Sequence, residues 1–264
     1  MMFSPNRIVE FISLTDEASS SPIKSKSKKS SDSIYKIAEN IRTDLERYLN
    51  LLHMQTAEQV LQFQVEALKN WQKQRLYRLY QDTFQDKGHR EAVTFVIEDV
   101  YGGRDLAILA KEIRQALPIA CRILPATLIE MAARAITLNA LTAELDQELA
   151  THIFKNKLHS SHSIEVSLSD GEYAQALIQT NQVRARIEVL HGGIQLAQEI
   201  DKRLRARWLP VTFRMAKKPA NMAGFNTLYK FLERSFSVLD QVPNIERLVT
   251  KISNKEEFHL KSLE

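Results

Sequence analysis

The chain has 264 residues, 44% hydrophobic and 26% charged, with a formal net charge of +4, the ordinary make-up of a soluble globular protein. Glycine and proline number seven each, less than half the average supply, which disfavours turn-rich β-sandwiches, barrels and propellers and the glycine-marked turns of doubly wound α/β folds. One cysteine, Cys121, permits no intrachain disulfide and fits a reducing, cytoplasmic compartment, and so small a net charge disfavours nucleic acid as a partner.

The elements follow in chain order. Phe3, Ile8, Val9, Phe11, Ile12 and Leu14 read as a frayed terminus or a short docking peptide. Arg7, Glu10 and Asp16 interrupt them, so no signal-peptide core forms. Residues 18–33 hold eight serines and four lysines, too few apolar groups to offset the entropy of ordering. Residues 1–32 are therefore read as a flexible Ser/Lys-rich arm, 33–252 as one helical domain and 253–264 as a C-terminal tail.

Within the domain, Ile34, Ile37, Ile41, Leu45, Leu49 and Leu52 recur at helical spacing. A second helix over 56–86 carries the stripe Val60, Phe63, Ala67 and Trp71, and a shorter one over 89–101 ends at Gly102-Gly103. Asp105 caps a helix over 106–117, with Pro118 read as a kink, and Pro125 opens the next, to about 157. After a polar stretch, Ser169 or Asp170 caps 171–180. A long helix over 181–208 steps through Val183, Ile187, Leu190 and Ile194, with Gly192-Gly193 marking a close helix crossing or a kink. Helices over 224–240 and 243–252 complete an all-α bundle of about seven to nine helices, with no strand pattern and no apolar run of the roughly 18 residues a membrane span needs.

The run Trp71-Gln72-x-x-Arg75-Leu76, then Phe95-Val96-Ile97-Glu98-Asp99-Val100-Tyr101-Gly102 and Arg104-Asp105, resembles a family of bacterial proteins named for an FFLEELY-like motif. Val96 and Ile97 stand where that family has Phe and Leu, and Gly103 where Pro is common. Leu117-Pro118, Leu124-Pro125, the block Leu138–Asp146, Lys218-Pro219-Ala220 with Gly224, and Phe231–Phe236 extend the resemblance over roughly 60–240. It implies an all-helical fold and a bacterial source, and no activity.

The candidate residues for chemistry are few. Glu98 and Asp99 place two carboxylates in the last turn of a helix, against the macrodipole, and so call for a cation. Arg75, Arg78, Arg104 and Arg114 are the candidates. The group Arg75, Glu98, Asp99, Tyr101, Arg104 and Asp105 reads as an ion-pair network that fixes a turn, or as a polar ligand pocket with Glu98 as acid/base and Tyr101 as donor. Glu188-x-x-His191 and Glu256-x-x-His259 carry the spacing of di-iron bundle ligands, but one is followed by two glycines and the other lies in the tail. His152, His159 and His162 cluster in and beside a polar loop without cysteine or well-placed carboxylate. Neither set reads as a metal site, and no cofactor motif is present.

Residues 202–218 hold seven basic residues, Lys202, Arg203, Arg205, Arg207, Arg214, Lys217 and Lys218, and no acidic one, interleaved with Trp208 and Phe213. That pattern suits an anionic membrane surface, or a solvated rim around core apolar residues. With no catalytic constellation, the expected function is a non-enzymatic module that binds another protein or a second copy of itself. Membrane association through 202–218 and an interhelical ligand site at Glu98, Asp99 and Tyr101 are the alternatives.

Overall fold

The computed structural model describes residues 26–85, 87–103, 106–155, 168–204, 217–242 and 244–263. Among them are ten α-helices and no strand, an all-α architecture. The helices are α1 (Lys26–Ala57), α2 (Gln59–Leu79), α3 (Lys87–Phe95), α4 (Leu106–Ile123), α5 (Ala126–Phe154), α6 (Asp170–Gln179), α7 (Val183–Leu204), α8 (Lys217–Met222), α9 (Asn226–Asp240) and α10 (Ile245–Lys261). A 3-10 turn (Gln81–Gln85) and a π-helical turn (Val96–Tyr101) flank α3.

Helix α5 is the hub, touching α1, α2, α4, α6 and α7. Its alanines explain how so many neighbours reach it. Ala140 and Ala143 receive Ala38, Ile41, Leu45 and Tyr48 of α1, while Ala150 joins Leu149 and Phe154 against Leu61, Val65 and Leu68 of α2. Fully burying a side chain of Leu or Ile size contributes about 1.5–3 kcal/mol relative to leaving it exposed. A third cluster joins Tyr80, Val93, Phe95 and Ile97 to Val238 of α9 and to Ile245, Leu248 and Val249 of α10.

The glycine pair in α7 divides. A Cβ on Gly192 would lie 2.8 Å from Leu138 Cδ2, so α7 crosses α5 closely there, as the sequence suggests; beside Gly193 no atom lies within 4 Å. Ser169 caps α6 through a reciprocal pair with Glu172: its hydroxyl accepts from the Glu172 N–H at 3.2 Å, and its own N–H donates to Glu172 Oε2 at 2.8 Å.

Several boundaries differ from the sequence reading. Helix α1 begins at Lys26, inside the stretch 1–32 read as an arm; residues 1–25, with the docking-peptide reading, lie outside the described residues. Helix α4 continues through Pro118 to Ile123. Pro118 is exposed, so water can satisfy the carbonyl that loses its partner. Residues 253–261, read as tail, form the second half of α10 with Leu260 buried. On α2 the core face is Leu61, Gln64, Val65, Leu68, Gln72 and Arg75, one position away from the expected stripe, and Val60 is exposed. Three polar residues on the buried face disguised it.

Candidate functional site

The π-helical turn organises the predicted acidic group. Gly102 N–H donates to Ile97 O at 3.0 Å, closing the wide turn. A Cβ on Gly103 would lie 2.5 Å from Asp99 O, which restricts that position to glycine. Ile97 is buried and anchors the turn in the core.

The two carboxylates diverge from it. Glu98 pairs with Lys73 of α2 at 2.5 Å and accepts the Tyr77 hydroxyl at 3.0 Å. Asp99 reaches Arg234 of α9 at 3.1 Å. Burial pushes the Asp99 carboxyl above its ordinary value; Arg234 pulls against that and Glu98 adds to it. An arginine therefore does pair with this acidic turn, but none of the four expected does so among the described residues. Arg75 pairs with Glu256 at 3.4 Å and lies 5.7 Å from the centre of the Tyr173 ring. Arg78 reaches Asp170 and Arg114 is exposed. Arg104 and Asp105 lie outside the described residues.

Tyr101 goes elsewhere. Its hydroxyl donates to Asp146 Oδ2 of α5 at 2.7 Å, at a centre that the sequence reading did not find. Asp146 is fully buried, at 0% exposure, and Arg186 of α7 lies 3.0 Å from its other oxygen. The Gln72 amide nitrogen lies 3.3 Å from that oxygen and 3.3 Å from the Tyr173 hydroxyl, and the Gln72 carbonyl touches Tyr101. Gln182 accepts from Arg186 at 3.1 Å and donates to Glu148 at 3.1 Å. The turn, α2, α5, α6 and α7 thus meet at one carboxylate. Burial, then Asp146, hold the Tyr101 phenol well above its ordinary value, so it remains a donor.

A void of about 10 Å³ adjoins this centre, lined by Tyr48, Lys69, Tyr101, Leu106, Asn139, Thr142, Ala143 and Asp146. It has room for about one water and no more. Chemically, the arrangement ties five elements together, and it leaves no space for a substrate beside Tyr101. Asp146 could have been suspected from sequence because it sits between Leu145 and Leu149 on an apolar face; Arg186, forty residues on, carries no such signal.

Of the basic stretch, Lys202 and Arg203 at the end of α7 are exposed, as is Lys218. Lys217 pairs with Glu233 at 3.0 Å and lies 5.6 Å from the centre of the Tyr229 ring. Arg205, Arg207 and Arg214 lie outside the described residues. The two Glu-x-x-His pairs do fall on helices that pack together, α7 and α10. Yet Glu188 pairs with Arg184, Glu256 is held by Tyr80 and Arg75, and His191 faces Glu257 at 3.4 Å. Among the described residues no three His, Cys, Asp or Glu side chains are grouped to hold a metal, and no helix is long and apolar enough to cross a membrane.

Fold and centre together define an all-helical bundle whose helices meet at a buried, hydrogen-bonded ion pair. Residues 51–264 match the domain of unknown function DUF8198, and the chain belongs to that family. The match opens within α1, whose contacts with α4 and α5 lie mostly before it. No curated protein and no solved structure matches the chain.

Proposed function

We propose that this is a non-enzymatic helical module that acts by binding another protein, in the cytoplasm of a bacterium. The closed centre carries the reading: around Tyr101 and Asp146 the polar side chains hold helices together, and the adjoining void is the size of one water. The outward surface is better supplied for contact. Phe258 on α10 is 79% exposed, Tyr35 on α1 74% and Met222 on α8 73%, and aromatic or methionine side chains are the types that anchor interfaces. Kinship with FFLEELY-motif proteins belongs to the same reading and rests on the block Phe95–Gly102.

The test places a photo-reactive amino acid at Phe258, Tyr35 or Met222 in the full chain expressed in its host, with Gly171 on α6 as a control. A discrete protein adduct, heterologous or a second copy, from one of the three and not from the control is expected. Uniform or absent adducts at all three would overturn the reading.

A second reading, association with an anionic membrane surface, draws on exposed Lys202, Arg203 and Lys218. Co-sedimentation with anionic vesicles, lost in Arg203→Glu plus Arg205→Glu, would favour it. The interhelical pocket reading has the least support, because Glu98 and Asp99 are engaged by cations and Tyr101 by Asp146.

A further inference from the structure

The outward face of α10 collects cations and hydrogen-bond donors that the fold does not use up. Asn244, just before the helix, and Arg247, Lys251, Asn254 and Phe258 follow at spacings of three and four, so they share one face. An open groove of about 520 Å³ runs along it, lined by Asn244, Glu246, Arg247, Thr250, Lys251 and Asn254. The Asn244 carbonyl accepts from the Arg247 N–H at 2.8 Å, which leaves its amide N–H groups to donate. The Arg247 side chain is exposed and forms no ion pair among the described residues. Lys251 and Lys255 share one carboxylate, Asp82 of the 3-10 turn, at 2.9 Å each. The other α10 carboxylates are turned away: Glu256 is held by Arg75 and Tyr80, and Glu257 by His191 and Lys261. Three cations, Arg247, Lys251 and Lys255, therefore stand against two carboxylates, Asp82 and Glu246, on a face rich in donors.

We propose that the α10 groove receives an extended acidic segment of a partner protein, whose carboxylates accept from Arg247, Lys251, Asn244 and Asn254 while an apolar residue at one end lies on Phe258. From Asn244 to Phe258 the face runs about 21 Å, the reach of about six or seven extended residues. The free Arg247 guanidinium can take a carboxylate by two parallel hydrogen bonds, and the amides of Asn244 and Asn254 add neutral donors on either side. Phe258 is exposed one turn beyond Asn254, an aromatic anchor next to the polar groove. A membrane surface would require several apolar side chains along the face to insert, and Phe258 has the exposed Asn254, Lys261 and Ser262 around it. The inference rests on the protein-binding reading and supplies the chemistry of the partner.

The experiment pans a library of random short peptides on the full folded chain, sequences the binders and measures their affinities by fluorescence anisotropy. Binders should be enriched in Asp and Glu beside an apolar residue and should weaken as salt is added. Arg247→Glu plus Lys251→Glu should weaken them about tenfold or more, and Phe258→Ala about fivefold. Lys202→Glu plus Arg203→Glu, the same change of charge at the end of α7, should leave them unaltered. Circular dichroism melts of each variant separate a lost contact from a lost fold, and Phe258→Ala, at an exposed side chain, should melt as the parent does. No binders, neutral or basic binders, acidic binders that tolerate the α10 substitutions, or binding of anionic lipid vesicles alone would each overturn the proposal. Adducts at Tyr35 or Met222 without such peptides would overturn it and leave the protein-binding reading standing.

Discussion

Replacing Asp146 by Asn removes one charge and almost no volume from the centre. The carboxylate is fully buried and accepts from Tyr101 at 2.7 Å and Arg186 at 3.0 Å. The Arg186 side chain is itself only 12% exposed, so its charge has little water to turn to. Taking one partner from a buried pair costs roughly 3–5 kcal/mol, because the other charge stays uncompensated. Domains have about 5–15 kcal/mol in all. For a chain of this length each kcal/mol moves the melting temperature by about 2–4 °C, so the expected fall is about 6–20 °C. Urea unfolding followed by circular dichroism measures the loss directly. Arg186→Met should cost a comparable amount. The double variant should lose less than the sum, by about 0.5–3 kcal/mol, because its partners no longer strand each other. A loss under about 1 kcal/mol in Asp146→Asn, or strict additivity, would mean that the pair does not act as the lock described.

Gly193→Ala should stabilise the chain by about 1 kcal/mol through helix propensity alone, whereas Gly192→Ala should gain nothing, because its methyl group meets Leu138; equal gains in thermal melts would refute the close crossing. The buried Glu112 of α4 accepts from the Thr227 and Leu228 N–H groups at 3.2 and 2.7 Å, capping α9 from another helix. Glu112→Ala should cost about 1–2 kcal/mol and speed hydrogen exchange at those two amides, and unchanged protection there would contradict the capping role. His259 has its pKa lowered, first by burial and then by Arg75, with Glu256 and Asp170 opposing. The folded state thus binds fewer protons than the unfolded state, so this contribution is complete above about pH 6.5 and is lost as the pH falls below it. His259→Asn should flatten the decline in stability between pH 7 and 5; an unaltered slope would assign that decline to other groups.

Helix positions were readable because punctuation is scarce and well placed. Ser169 caps α6, Pro125 precedes α5, and Gly192 marks the approach of α7. The end of α4 reads as 117 from sequence and lies at Ile123, because a proline on an exposed helix face breaks one hydrogen bond without ending the helix. The α2 stripe misled for the opposite reason: Gln64, Gln72 and Arg75 occupy buried positions, and period counting recognises only apolar residues. At the centre, Tyr101 stood out by its neighbours Glu98 and Asp99, but its partner is Asp146, 45 residues away. A local pattern reports which residues share a turn. It does not report which helix arrives opposite them, and here that arrival decides each pairing.

The join between α2 and α10 bears on the order in which the molecule is made. Arg75, 7% exposed, and Tyr80 both meet Glu256, 181 and 176 residues further along. At about 5–20 residues per second of synthesis, roughly 10–35 s pass between Tyr80 and Glu256. Through that interval the helices can form one by one, since their hydrogen bonds are local, but the guanidinium and the phenol must stay in water or be sequestered without a carboxylate. Closing the core at this join is therefore set by the arrival of α10 and not by the speed of helix formation.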